Sequence, residues 1–365
     1  MLFGVGVALV LQLMVLRPEK AARAPLQISA VGDIIFGRFT THGYRSLVLD
    51  DVFSAVAVPL RADLVLGNLE TPVVEVLPER SPLRRGYRFG AKPYVADLMR
   101  DAGFTALSIA NNHAVDLVAD GLTETAEHVA AAGIGVLGRP SADGTPTIDT
   151  LEIHGWRVAV IAATTWLNAP VPSGAPSPPL VSSKRLARIL SPLVSDAAEN
   201  HDLVIVSLHW GREYTEIPEN RQRHVARVLA EAGADFIWGH HAHLLQGVEW
   251  IGDTLVAYSL GNFVFYEGRE SGSRNSAILR LTRSVAGRWT DAHLVPIRIE
   301  GSRTLRPRPA NLVEARRIRR GLRRTSGRLG TRTEVAEDGT LRIMLKRWTP
   351  STQTPRAAAA ASQVK

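Results

Sequence analysis

The stretch GHHAH, residues 239–243, places three histidines in four positions directly after an apolar run. Neutral imidazole binds metal ions and carries protons near neutral pH. Taken alone, the cluster reads equally as a metal site, a pH-sensing patch or a solvated loop. Two residues apart, His241 and His243 face the same side if the segment is extended, which would let them chelate one centre. His240 then points away, towards a supporting hydrogen bond. Similar residue types recur earlier in the chain: Asp33 in VGD, Asn68 and Glu70 in GNLE, Asn112 and His113 in ANNH, and His209 with Glu213 in HWGRE. Carboxylate, amide and imidazole together suit Mn, Fe or Zn better than Ca, which prefers oxygen ligands throughout. The chain has no cysteine, so thiolate ligation and disulfides are both excluded.

Each of these groups has a plainer reading. Asp33 could close a turn or cap a helix, Asn112 and His113 could be turn residues, and His209 beside Trp210 could be a core histidine. The joint pattern is what favours chemistry. Every group follows a short apolar run: residues 26–33, 63–66, 104–109, 203–208 and 235–238. A sixth run, 254–259, ends in LGN. Such runs, bounded by turn signals, read as buried strands. Between several of them lie helical patterns that stop at glycine, over residues 94–103, 121–133 and 220–233. Strand–helix alternation predicts an α/β fold with helices covering the sheets. In such sheets ligands bind at the carboxyl ends of strands, so distant segments would deliver these side chains to one rim.

Other segments frame this body. Residues 168–182, rich in Pro, Ser and Gly, read as a long surface loop, a candidate lid. Residues 276–282 and 289–299 read as antiparallel strands, and 310–324 as a basic helix. The net charge is +8, yet residues 301–365 hold sixteen Lys and Arg against four Asp and Glu. The basicity therefore belongs to the tail, which could touch an anionic polymer or be a solvated arginine-rich helix. No motif interleaves basic and aromatic residues as nucleic-acid binding would require, so no nucleic-acid partner is expected. Residues 1–16 are apolar apart from Gln12. As a helix they would reach ~24 Å, short of a ~30 Å hydrocarbon core. They read as a signal anchor or truncated signal segment spanning residues 1–24. The alternative is a buried first segment of a cytoplasmic protein.

The motifs SAVGDIIFGR, DLVLGNLETPV, LSIANNHAVDLVADGLTET, VIVSLHWGREY, GADFIWGHHAHLLQGVEW and YSLGNFVF occur in this order between residues 27 and 299. Together they resemble the CapA family of capsule-synthesis proteins. That family is associated with poly-γ-glutamate capsules and related to the calcineurin-like metallophosphoesterases. The resemblance implies a four-layer α/β/β/α sandwich over residues 25–300. By composition, residues 301–348 read as a basic extension packed on that body and 349–365, rich in Pro, Thr and Ala, as a disordered tail. The resemblance also implies a membrane-anchored body on the extracytoplasmic face. It makes Asp33, Glu70, Asn112, His209, His241 and His243 ligands for one or two divalent ions, and His113 the group that assists the leaving group. Asn68, Glu213 and His240 are possible additional participants. Two departures from the phosphoesterase pattern stand out. Ile35 occupies the position of a histidine, and Asn68 with Glu70 replaces a bridging aspartate.

The expected function is that of a metal-dependent hydrolase or transferase acting on an anionic extracellular polymer such as poly-γ-glutamate, working with capsule-synthesis membrane proteins. Arg38 would pair with an anionic substrate, or else form a surface salt bridge. Arg84, Arg85 and Arg88 would add a basic patch nearby. The alternative is a non-catalytic export or assembly component with a structural or vestigial metal site.

Overall fold

The computed structural model describes residues 23–40, 42–46, 50–80, 87–265, 272–301 and 305–345. The apolar N-terminal run, Arg84, Arg85 and the tail from residue 349 lie outside them. Among the described residues no helix is long and apolar enough to cross a membrane.

The chain opens with β1 (Leu26–Ile34), a hairpin of β2 (Gly37–Thr40) and β3 (Gly43–Ser46), a short helix α1 (Ala57–Leu60) and β4 (Leu64–Leu69). Then come α2 (Tyr94–Asp101), β5 (Ala106–Ser108), α3 (Val118–Ala131) and β6 (Gly135–Leu137). The next stretch holds β7 (Asp149–Ile153), β8 (Trp156–Thr164), α4 (Leu186–Asn200), β9 (Leu203–His209), α5 (Asn220–Ala232), β10 (Phe236–His240), β11 (Val248–Ile251) and β12 (Thr254–Ala257). Last are β13 (Asn262–Val264), β14 (Asn275–Arg283), β15 (Trp289–Glu300), β16 (Arg306–Pro309), α6 (Leu312–Arg328), β17 (Thr333–Val335) and β18 (Leu341–Ile343). The fold is mixed α/β.

Ten strands form the larger sheet, in the order β17-β18-β15-β14-β1-β4-β5-β6, with β13 also on β1 and β16 also on β15. β1, β4, β5 and β6 run parallel, and β14 and β15 pair antiparallel as their sequence predicts. The smaller sheet has the order β11-β12-β10-β9-β8-β7, with β12, β10, β9 and β8 parallel. Strands buried on both faces need unbroken apolar runs rather than alternation; β4, β9 and β10 are buried at every residue. The pattern that located these strands passed over β8 and α4, and α3 begins earlier than predicted.

Three apolar clusters explain the packing. Leu26, Ile28 and Leu64 of the larger sheet meet Val160, Ile205, Phe236 and Trp238 of the smaller one. Val95 and Met99 of α2, with Leu122 and Val129 of α3, cover the larger sheet over Val65, Leu107 and Val136. Leu190 and Val194 of α4, with Val225 and Leu229 of α5, cover the smaller one over Ile161, Val204 and Val256. Helix α5 starts in a capping box between Glu219 and Gln222 and stops at Gly233, whose φ of 109° is a left-handed stop.

The segment after residue 301 adds β16, β17 and β18 to the larger sheet and lays α6 against β11 and β15. The Asn311 side chain accepts from the Val313 and Glu314 backbone N–H groups, and Glu314 Oε2 accepts from Asn311 N at 2.9 Å. Hydrogen bonds from Arg308 lead the effects that hold the Glu314 carboxyl down, at about 2. Its value is depressed below the ordinary one, so its contribution is complete above the unfolded value and fades as pH falls towards about 2. The melting penalty of Glu314→Gln should therefore be visible near neutral pH and shrink on acidification through this window; a penalty independent of pH would contradict the assignment.

At Gly32 the backbone of β1 approaches the other strand ends too closely for a side chain. A Cβ there would meet the Gly261 carbonyl oxygen at 1.8 Å, while Asp33 N donates to that oxygen at 3.0 Å. Gly32→Ala must push the two backbones apart. It should cost about 1–3 kcal/mol in chemical unfolding, and an unchanged midpoint would show that the approach is not rigid.

Candidate metal centre

The parallel strands of both sheets deliver their carboxyl ends to one place. Asp33 is in register with Asn68 of β4 on one side and Asn262 of β13 on the other, at an irregularity in β1. In the smaller sheet Thr164, His209 and His240 lie in one row. Glu70 follows β4, and Asn112 and His113 lie beyond β5.

Asp33 is fully buried and well partnered. Its Oδ1 accepts from Asn68 Nδ2 at 2.8 Å. Its Oδ2 accepts from His241 N at 3.3 Å and lies 3.2 Å from His243 Nδ1. Glu70 is the opposite case. It too is fully buried, yet neither carboxylate oxygen has a hydrogen bond among the described residues. Around it, His209 Nε2 lies 3.5 Å and His113 Nε2 3.9 Å from Oε1. Glu70, His209 and His241 each offer a ligand atom within 4.8 Å of the others. The same holds for Asp33, Glu70 and His243, and for Glu213, His241 and His243. Glu70 and the two histidines of the His-x-His pair belong to more than one of these groups, so the site has the donors for one ion or two adjacent ones.

These donors fit a divalent cation. Asn112 Oδ1, His209 Nε2 and His241 Nδ1 are buried and lack hydrogen bonds among the described residues. A buried acceptor left in that state costs free energy that a cation would recover. Burial pushes Glu70 well above its ordinary value, and the charges of Asp33, Glu213 and Asp116 push it further. Burial drives His209 well below its ordinary value, with the neighbouring histidines adding to the effect. Burial takes His240 down to about 4 against Asp33, and His241 down to about 3 with help from His243. Neutral imidazole is the form that binds metal. Burial also opposes the charged forms of Asp33 and His243. There the hydrogen bond between them wins, so Asp33 is lowered and His243 raised.

The route by which His241 and His243 converge differs from the extended segment expected. Both adopt left-handed backbone, with φ of 87° and 55°. Non-glycine residues pay for that conformation, and such strain gathers at functional sites. Tight turning brings the two rings to 6.0 Å between centroids. His240, still on β10, points elsewhere as expected: its Nε2 faces Ser207 Oγ at 3.3 Å and its Nδ1 lies 3.8 Å from Asp33. Asn68 directs its amide nitrogen towards Asp33 and, at 3.3 Å, His209 Nδ1, so it orients both. Ile35, at the histidine position of the phosphoesterase pattern, is fully buried in the apolar core. Arg38 lies half-buried on β2, bridged to Phe89, whose ring packs 4.2 Å from His113. Arg88 turns inward instead of forming a surface patch; it donates to the Tyr87 and Asn168 carbonyls and lies 3.8 Å from Asp116.

Several participants were not singled out from the sequence. Asp116 Oδ2 is 2.6 Å from His113 Nδ1 and also accepts from Phe89 N. Its spacing of three from His113 was a readable signal. Asn262 Oδ1 is 2.9 Å from His243 Nδ1, while its Nδ2 donates to the His243 and Ser273 carbonyls; the LGN strand end announced it. Trp166 and Asn168 carry no local signal beyond their place at the candidate lid. Trp166 donates its indole N–H to His241 Nε2 at 3.1 Å, and Asn168 reaches both Asn112 and His113.

Two substitutions separate ligands from their supports. Asn262→Ala should weaken divalent-metal binding roughly 10–100-fold, as loss of an outer hydrogen-bond partner does. Glu70→Gln, which removes a carboxylate shared between donor groups, should weaken it more. Titration calorimetry with Mn or Zn would check the order, and equal affinities in all three proteins would dismiss the site.

The sequence pattern of the family described as "Bacterial capsule synthesis protein PGA_cap" matches residues 27–267. "PGA biosynthesis protein CapA" of Bacillus subtilis (strain 168) is 32% identical over 269 residues, covering 72% of this chain and 70% of that protein. "Capsule biosynthesis protein CapA" of Bacillus anthracis is 33% identical over 252 residues, covering 67% of this chain, which spans 60% of that relative's length. A Mycobacterium tuberculosis protein called "Probable polyglutamine synthesis accessory protein" is 27% identical over 256 residues, or 65% of this chain and 66% of that one. The matched span includes every strand end that contributes to the metal centre, and the chain belongs to the bacterial capsule synthesis protein family PGA_cap.

Proposed function

We propose that this protein is a metal-dependent hydrolase or transferase that cuts an anionic extracellular polymer of the poly-γ-glutamate type during capsule synthesis. The observation that carries the reading is Glu70: a fully buried carboxylate with no hydrogen bond to either oxygen among the described residues, ringed by His209, His241, His243 and Asp33. The polymer comes from the capsule and polyglutamine names of the relatives. The arrangement of two facing sheets with helices outside supports a four-layer α/β/β/α sandwich of the metallophosphoesterase type.

In this mechanism Asp33, Glu70, Asn112, His209, His241 and His243 hold one or two ions, with Glu213 beside the last two. A divalent ion held there supplies Lewis-acid polarisation of the scissile group and activation of the attacking water. Asp116 fixes the His113 ring through Nδ1, which directs Nε2 towards Glu70 and the reacting groups. From Nε2 His113 gives a proton to the departing nitrogen or oxygen, and regains one from the attacking water or acceptor. Asn168 caps this corner by holding Asn112 and His113 together. Trp166, 46% exposed, and Tyr214 flank the His-x-His pair at the solvent side. Arg38 binds an anionic group of the polymer.

The body at residues 25–300 is proposed as the catalytic domain, with 301–348 as an extension packed on it and 349–365 as a tail. Residues 1–24 are proposed as a signal anchor that holds the body outside the cytoplasm, next to capsule-synthesis membrane proteins. A reporter fusion active only in exported compartments would show whether this is so.

Metal-loaded protein should shorten poly-γ-glutamate, read by size-exclusion chromatography, and chelation should stop it. His113→Ala should lower kcat by roughly 10²–10⁴-fold while metal content stays at the wild-type level. The buried Ile35 favours one other reading, a polymer-binding assembly component with a structural metal. Full metal occupancy without cleavage of polyglutamate or a phosphodiester would decide for that reading.

A further inference from the structure

Behind the metal centre lies a second feature, a cavity of about 470 Å³ between α6, the start of β14 and the end of β15. Its wall towards the metal centre is made by Leu244 and Leu245, which directly follow His243, and by Gly272 and Asn275. The intervening Ser273 carbonyl accepts from Asn262, the partner of His243. Cavity and metal centre thus share one piece of structure.

Among the described residues the charged lining is one-sided: Arg274, Arg298, Arg317, Arg320 and Arg324 against Glu216 alone. Glu216 is engaged with Arg324. Arg298 donates to Asn275 Oδ1 at 2.8 Å and has Glu314 at 3.8 Å. Arg274, Arg317 and Arg320 have no carboxylate partner among the described residues. Burial lowers the Arg298 guanidinium from its ordinary value; Glu314 opposes this, and Arg274, Arg308 and Arg317 add to it. Like charges gathered around a partly sheltered guanidinium are unfavourable unless an anion joins them. Helix α6 and the turn that follows it are also clamped in place, with Val248 N donating to Ser326 Oγ of the helix at 3.0 Å and Trp250 N to Thr331 Oγ1 just beyond it at 3.1 Å. The arginines are therefore presented on a fixed face.

We infer that this arginine-lined cavity is a remote binding subsite for a carboxylate-bearing chain, holding the anionic polymer beside the metal centre. This rests on the polymer reading given under the proposed function, and it adds where the chain binds. Arg317, Arg320 and Arg324 fall on successive turns of α6 and span roughly 10 Å at 1.5 Å per residue. A row of cations of that length matches repeated negative charges along an extended chain. Guanidinium pairs bidentately with carboxylate. Among the described residues no aromatic side chain lines the cavity, so they offer no platform for stacking nucleic-acid bases.

Fluorescence anisotropy of labelled poly-γ-glutamate, with and without added Mn, tests the assignment on the full chain. Arg317→Ala combined with Arg320→Ala should bind about tenfold more weakly, with unchanged melting temperature and metal affinity. Gly321→Glu offers a second arm: a side chain there meets open space. It improves helix propensity while placing a carboxylate among the arginines, so weaker binding cannot be ascribed to unfolding. Wild-type affinity in both variants overturns the subsite. So does tighter binding of polyphosphate, single-stranded DNA or anionic phospholipid vesicles at matched charge. Binding that survives metal removal, and is lost in the arginine variant, upholds the subsite even if no cleavage is ever seen. Metal-dependent cleavage with full polymer affinity in both variants upholds the catalytic reading and removes the subsite.

Discussion

Two carboxylates with no access to water govern this protein. Removing an ion from water costs several kcal/mol even after a protein relaxes around it, so each buried charge must be answered locally. Asp33 is answered by an amide, a backbone N–H and an imidazole. Glu70 has no hydrogen bond among the described residues and is surrounded by imidazole nitrogens instead. A cation would answer it, and the surrounding donor atoms could hold one.

That arrangement requires two sheets. Parallel strands point their carboxyl ends the same way, so one sheet supplies Asp33, Glu70, Asn112 and His113, and the other His209, His241 and His243. The apolar layer between the sheets, with Leu26, Ile28, Phe236 and Trp238, sets their separation. Backbone strain completes the geometry. Left-handed turns at His241 and His243 reverse the chain so quickly that two residues from one short loop reach different sides of Glu70's surroundings. The close approach of Gly32 to Gly261 brings the Asn262 support beside Asp33.

Supports outside the donors extend the site in two directions. Asp116, Asn168 and the inward-facing Arg88 brace His113 on the side of the proposed proton transfer. Asn262 and Ser273 brace His243 and lead to the arginine cavity under α6. The α6 part of the basic segment, which composition alone leaves as either a polymer-binding feature or a wet helix, thus forms a structured wall near the candidate metal centre.

Much of the centre was legible in the sequence because strand ends are local events. An apolar run followed by Asp33, or by His209, states both the strand and the rim where its last residue emerges. Buried parallel strands need no alternation, so such runs stand out, and α5 announces its own start and stop through Glu219, Gln222 and Gly233. Asp116 escaped notice although its partner His113 is only three positions away, whereas Trp166 and Asn168 escaped because their roles depend on distant partners. Trp166 is 75 positions from His241 and Asn168 is 55 from His113, and nothing in their neighbours marks them. The conformation of His241 and His243 escaped as well, because left-handed φ in a non-glycine residue is imposed by packing and not by its own preference. The sequence by itself determined which chemical groups end the strands, since hydrophobic periodicity and residue type are local. Only the tertiary structure decided which of those groups meet, which are satisfied by one another and which are left for a cation, since burial and distance belong to the packed chain.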